Sequence, residues 1–413
     1  MRVLVLIAGG ILSTTAHSSI AGDWTSWRGP NLNGIAAEGQ TPPTSWSETQ
    51  NIVWKASVSG RGHSSPIIVG DRVFLTTADE RAQIQSVLCY NRKTGDQLWK
   101  TDVHKGGLLA EIHKKNTHAS ATPAWDGERL ITVFANRDSI VLTAVSADGK
   151  IEWQTTAGPF RPQLFKYGYG PSPAIYKDKV IVAAEFESGG FLKAFDRTSG
   201  KEQWSASRQG LISFSSPIVG KVDGKDYLLL SGGDYVAGYD PNTGQGAWRV
   251  KGVSVATCGT LVWEDDMVFA SGGYPAKETV AVRIKGNQAE AVWRNGEKCY
   301  EQSMLVSNGS LYAVNDNGFA FCWDAKTGRV RWQQRVGGPV SASLTLAGGN
   351  LYYSDERGTT YVFEANPEKY VAVGRNQLGN ESFATPVIVD SQIFLRHADN
   401  RSGRQETLYC IGK

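Results

Sequence analysis

Asp324-Ala325-Lys326-Thr327-Gly328-Arg329-Val330-Arg331-Trp332 is one of four copies of a single phrase in this chain. The others run from Asn91 to Trp99, Asp196 to Trp204 and Asp240 to Trp248, each with Asp or Asn, two residues, Ser or Thr, Gly, three residues and Trp. The acidic or amide side chain can accept from backbone N–H groups two residues on, and the Gly takes the positive φ that closes a tight turn. A hairpin follows. The Trp then lies on the next strand, where its ring can fill the wedge between two twisted sheets.

Degenerate copies extend the series. Asp148-Gly149 precedes Trp153, the turn before Trp293 is stretched around Gly286, and Trp54 keeps the Trp alone. Spacings of about 40 to 55 residues between these Trp positions match the period of a four-stranded propeller blade. A second mark recurs at the start of each unit: Ser65-Pro66, Thr122-Pro123, Ser172-Pro173, Ser216-Pro217 and Thr385-Pro386, each followed by apolar residues. Pro is tolerated where a strand begins. Three further units, near Gly259 to Trp263, Ser303 to Val306 and Ser341 to Leu346, keep the apolar strand without Pro, which brings the count to eight.

The chain after Cys410 is too short for a fourth strand in the last unit, whereas Asn51 to Lys55, with Trp54, is an orphan strand ahead of the first. The two deficits match. The expected fold is an all-β, eight-bladed propeller of four-stranded antiparallel blades, closed by pairing of the N- and C-terminal segments so that no sheet edge is left open. Residues 51–413 form this single propeller, 22–50 an ordered arm carrying Trp24, Trp27 and Trp46, and 1–21 a secretory signal with Arg2, the apolar run Val3 to Leu12 and small residues thereafter. Cleavage is expected after Ala16 or Ala21, which makes the protein exported, either periplasmic or secreted.

A formal charge of +3 over 413 residues favours neither nucleic acid nor an anionic membrane as partner. The apolar N-terminal run is too short to span a bilayer. Five cysteines leave at least one unpaired within the chain. Cys89, Cys322 and Cys410 fall on equivalent third strands and read as buried thiols; Cys258 and Cys299, at consecutive inner strands, could approach each other.

The repeated phrase resembles the tryptophan-docking repeats of pyrroloquinoline quinone (PQQ) repeat propellers over nearly all of the mature chain. Such propellers include quinoprotein alcohol dehydrogenases and the non-enzymatic propeller lipoprotein of the bacterial outer-membrane assembly machine, so the resemblance implies fold more than chemistry. Trp24-Thr25-Ser26-Trp27-Arg28-Gly29-Pro30-Asn31 and Ile112 to Pro123 are similar to segments of an exported bacterial subgroup of these propellers.

Function on such a ring is expected at the loops that join one blade to the next, which gather at the mouth of the central channel. Arg61, His63, Asn116, His118, Tyr167, Tyr169, Phe214, Tyr300, Glu301, Glu381 and Phe383 fall on that face, a mixture suited to a polar ligand or a protein partner. The Trp series, from Trp54 through Trp99, Trp153, Trp204, Trp248 and Trp293 to Trp332, is structural. His104, His113 and His118 match no metal-ligand spacing, and the loops Asn315 to Gly318 and Asp399 to Gly403 read as Asx turns before they read as calcium loops. No Gly-x-Ser-x-Gly turn and no His-Glu-x-x-His helix occurs. The expectation is a monomeric binding or scaffold propeller without a cofactor. Its rivals are a dehydrogenase with PQQ and calcium in the channel, for which the adjacent cysteine pair of that family is missing, and a carbohydrate-binding propeller that stacks sugars on Tyr167, Tyr169 or Phe214.

Overall fold

The computed structural model describes residues 22–208 and 210–413, so the expected signal segment lies outside the described residues. Eight four-stranded antiparallel sheets form the blades of a ring. Blades 1 to 7 take their strands in chain order, beginning with the innermost strands Ile67–Val69, Ala124–Trp125, Ala174–Tyr176, Ile218–Val222, Val262–Glu264, Leu305–Ser307 and Thr345–Ala347. Blade 8 combines Val387–Val389, Gln392–Asp399 and Gln405–Ile411 with Ile52–Val58 as its outermost strand. The register between the last two runs from Ile52 opposite Ile411 to Val58 opposite Glu406. The ring is therefore closed by the two ends of the chain, as the matched deficits require.

Middle strands are covered on both faces by neighbouring blades and read as continuous apolar runs; Val73, Phe74 and Leu75 are all buried. Outermost strands such as Gln97–Lys105 are largely exposed or half-buried.

The Trp series locks one blade to the next at six of the eight junctions. The indole N–H of Trp54 donates to the carbonyl of Arg92 at 2.8 Å, Trp153 to Arg197 at 3.2 Å, Trp204 to Pro241 at 3.2 Å and Trp293 to Ala325 at 2.9 Å. In each case the acceptor immediately follows the Asp or Asn that opens the repeated phrase of the following blade. One phrase thus supplies both halves of the lock, a donor ring for its successor and an acceptor turn for its predecessor. Trp248 is the exception, with its indole nitrogen buried and unpartnered. The turn expected to be stretched is instead a tight hairpin, Gly286-Asn287 between Lys285 and Gln288, so the carbonyl that the full phrase would offer is not there.

The Gly of the phrase has a second duty besides its positive φ. A Cβ on Gly328 (φ +71°) would stand 2.5 Å from the Trp293 ring, whereas one on Gly349 (φ +77°) would meet nothing within 4 Å. Gly349→Ala carries the backbone cost alone, about 1 kcal/mol, and Gly328→Ala should lose roughly 1 to 3 kcal/mol more because the indole must leave its turn. Chemical denaturation of the two variants measures the difference; equal losses would mean that the Gly serves the turn only.

The arm packs across the side of the ring opposite the blade-joining loops. Trp24 exchanges backbone hydrogen bonds with Ile68 at 2.8 and 2.9 Å, and the amide of Ala36 donates to Leu346 at 2.8 Å. Trp24 and Trp46 are buried, and the amide of Trp46 donates to Asn376 Oδ1 at 2.8 Å. All five cysteines are free; Cys299 turns its thiol toward the carbonyl of Val314 at 3.4 Å instead of toward Cys258.

Candidate functional site

The Ser or Thr that opens each inner strand builds a belt around the channel. The amide of Ser65 donates to Thr122 Oγ1, Thr122 to Ser172, Ser172 to Ser216, Thr260 to Ser303, Ser303 to Ser343, Ser343 to Thr385 and Thr385 back to Ser65, all at 2.8–3.0 Å. At the remaining junction the hydroxyl of Thr260 instead accepts from the indole N–H of Trp27, 2.9 Å away. The arm therefore reaches the axis of the ring and places Trp27 in the lining of the cavity at the loop face.

That cavity measures about 290 Å³ and is lined from connections of all eight blades. Tyr167 and Phe214 form one wall, with ring centroids 5.5 Å apart, and His113 meets Tyr167 edge-on at 5.2 Å. His63 stacks on Phe383 at 4.2 Å on the other side. Between these walls lies a charged group. Lys115 Nζ is 2.6 Å from Glu356 Oε1 and 3.9 Å from Glu301 Oε2, and the Ser341 hydroxyl touches both carboxylates. Lys298 pairs with Asp316 at 3.3 Å and lies over the Tyr300 ring at 4.8 Å. Burial pushes the Glu301 carboxyl above its ordinary pKa; Ser341 and Lys115 pull it back and Glu356 raises it again.

Seven of the residues expected at the mouth line the cavity: His63, Asn116, Tyr167, Phe214, Tyr300, Glu301 and Phe383. Asn116 is spent on the backbone of its own loop and of the next, since its Oδ1 accepts from Thr117 N–H at 2.8 Å and its Nδ2 donates to the Tyr167 carbonyl at 2.7 Å. The other four lie elsewhere. Arg61 sits at the rim, donating to the Lys114 carbonyl at 3.2 Å; His118 faces a small side cavity with Phe134 and Tyr169. Tyr169 is buried between blades 2 and 3 with its hydroxyl on the Ala183 carbonyl at 3.0 Å, and Glu381 is paired with Arg404 at 2.5 Å. The chain turns at Gly168, with φ +86°, between the two tyrosines, so Tyr169 no longer shares the side of Tyr167.

Lys115, Lys298, Ser341, Glu356 and Trp27 were not among the expected site residues. Lys115 stands one residue before Asn116 in the quoted Ile112 to Pro123 segment, so that segment was a usable signal. Glu356 comes from a turn inside blade 7 and Trp27 from the arm, and no spacing in the chain announces either.

The three histidines considered together diverge. His104 lies edge-on to Phe134, His113 at the mouth and His118 in the side cavity. Among the described residues no group of three or more His, Cys, Asp or Glu is arranged to hold a metal ion. Asn315 Oδ1 accepts from the amides of Asn317 and Phe319, and Asp399 accepts from the Arg401 amide, so both oxygen-rich loops are Asx turns.

Beneath the rim, His397 is 2% exposed, with Nδ1 2.9 Å from the Leu378 carbonyl, and burial pulls its pKa down to about 4. His63 is held well below its ordinary value by burial and then by Arg61, Arg396 and Arg404. The folded protein keeps these rings neutral while the unfolded chain takes up protons below about pH 6.5, so stability falls as pH drops from there toward 4. His397 alone contributes up to about 3 kcal/mol of this loss. Denaturation midpoints measured across that range should flatten in His397→Gln; an unchanged slope would mean that His397 is not the group responsible.

Residues 36–156, 83–334 and 277–369 match the family described as outer membrane protein assembly factor BamB. The chain is 22% identical over 388 residues to the dehydrogenase subunit of the quinone alcohol dehydrogenase of Gluconobacter oxydans, covering 88% of this chain but only 46% of that subunit. It is 23% identical over 380 residues to the assembly factor BamB of Burkholderia pseudomallei, covering 87% of this chain and 89% of the relative. The crystal structure of BamB from Moraxella catarrhalis superposes with a TM-score of 0.60 at 13% identity, over 87% of this chain and 96% of the other, which shows the shared fold. Among the described residues no helix is long and apolar enough to cross a membrane.

Proposed function

The chain belongs to the propeller family described as outer membrane protein assembly factor BamB, and from that premise we propose that it is an exported, non-catalytic binding propeller that holds a small polar ligand or a partner's side chain at the channel mouth. One observation carries the reading. Connections from all eight blades converge on a single cavity, lined in part by Trp27, with aromatic rings on one side and ion pairs on another. A preformed concave site with a few placed charges is what a specific ligand requires.

The quinone dehydrogenase relatives set the alternative. The donor set here does not fit a calcium-held quinone. Glu356 is paired with the Lys115 ammonium at 2.6 Å and Glu301 lies 3.9 Å from the same group, so a cation already stands beside both carboxylates, and the chain has no adjacent cysteines.

A thermal-shift screen of small polar compounds, including amines, sugars and short peptides, tests the proposal. A ligand that raises the melting temperature should lose roughly tenfold or more in affinity in both Phe214→Ala and Glu301→Gln, equivalent to about 1.4 kcal/mol. A ligand bound equally well by both variants would move the site elsewhere. Calcium-dependent alcohol oxidation after reconstitution with PQQ would end the non-catalytic reading.

A further inference from the structure

Charge bookkeeping at the cavity singles out one group. Lys298 is taken by Asp316 at 3.3 Å, and Lys115 by Glu356 at 2.6 Å, with Glu301 more distant at 3.9 Å. Two ammonium groups thus face three carboxylates, and Glu301 is the one left over. Its Oε2 is in contact with the Ser341 hydroxyl, which also reaches Glu356 Oε1 at 2.7 Å. A hydroxyl has one hydrogen and can donate to only one of two carboxylates. Without a ligand, the remaining contact is satisfied when Glu301 holds a proton and donates it to Ser341. Its other oxygen, Oε1, has no hydrogen-bond partner among the described residues, although Glu301 lines the cavity.

The surrounding walls suit a cation. Trp27, Tyr167, Phe214 and Tyr300 line the same space, and one ammonium of the chain, that of Lys298, already rests over the Tyr300 ring at 4.8 Å. Aromatic faces attract cations, and a desolvated carboxylate needs a counter-charge.

We propose that the pocket binds a protonated primary amine carried on a flat or apolar stem, with the ammonium on Glu301 and the stem against the aromatic wall. This rests on the pocket being a binding site. The ammonium takes the place of the Glu301 proton, so binding releases one proton to solvent and weakens as pH falls through the raised pKa of that carboxyl. Burial, Ser341, Lys115, Glu356 and Asp316 set that value, and the Glu301 charge in turn raises the neighbouring Cys258 and Tyr300.

Three probes with one ring separate the possibilities: phenethylamine, 2-phenylethanol and 3-phenylpropanoate, titrated calorimetrically into the full mature chain in two buffers of different ionisation enthalpy near about pH 6. The amine should bind roughly tenfold or more tightly than the alcohol or the acid and release protons as it binds. Glu301→Gln should lose both the preference and the proton release. Phe214→Ala should weaken the amine while leaving the proton count unchanged, which distinguishes a lost wall from a misfolded site. Equal binding of the alcohol or the acid overturns the amine assignment and leaves the pocket standing. Failure of all three probes also overturns it, and the thermal-shift screen then decides whether the pocket binds anything.

Discussion

Deleting residues 51–58 is expected to abolish cooperative folding of the ring. The segment is the outermost strand of blade 8, paired with Gln405–Ile411 from Ile52 opposite Ile411 to Val58 opposite Glu406. It also carries Trp54, 8% exposed, whose indole locks blade 8 onto the turn of blade 1 at Arg92. Loss of a buried Trp alone costs about 3 to 5 kcal/mol. The ladder is lost with it, a sheet edge opens, and the ends of the ring are no longer tied. Together these losses are comparable with a whole domain's stability of about 5 to 15 kcal/mol. Urea denaturation followed by Trp fluorescence measures the effect, with Trp54→Phe as the variant that keeps the strand. A cooperative transition within about 1 kcal/mol of wild type in the deletion would show that closure contributes little.

The second large effect is expected from Arg28→Ala. Arg28 is 2% exposed, and its guanidinium donates to the carbonyls of Leu344 at 2.6 Å, Met304 at 2.8 Å and Asn33 at 3.1 Å. Leu344 and Met304 lie at the inner strands of blades 7 and 6, so one side chain staples the arm to both. Burial without a carboxylate pulls the Arg28 pKa down to about 9, which shows how much hydration the charge has surrendered to be there. Truncation leaves three carbonyls without their donor and a void at the axis, a loss of roughly 3 to 5 kcal/mol by analogy with a broken buried ionic contact. Because Trp27 is the preceding residue, the cavity should lose its Thr260 contact in the same event. Limited proteolysis should then cut the arm before Asn51, whereas the wild-type arm should resist through Trp46. An arm that stays protected in the variant would place its anchorage in Trp24 and Trp46 instead.

Much of the architecture was legible because it repeats. A turn that needs Asp, Gly and Trp at fixed offsets writes itself into the chain once per blade, and the unequal ends of the chain showed how the ring would close. The seven cavity-lining residues found by loop position were legible for the same reason, since loops joining blades must converge at the mouth. Tyr169 and His118 were misplaced because irregular turns, such as that at Gly168, send some residues of a loop to the mouth and others to the wedge between blades, and loop sequence carries no period to tell them apart.

What the chain determined by itself is local and periodic: hairpin turns, strand alternation, the count of eight and the pairing of first strand with last. Tertiary structure alone decided the site. Trp27 and Glu301 are separated by most of the sequence, and Glu356 meets Lys115 and Ser341 only because closing the ring brings the loops of distant blades to a common axis. Which ammonium neutralises which carboxylate depends on distances of a few ångströms across that axis, a quantity that no pattern along the chain encodes.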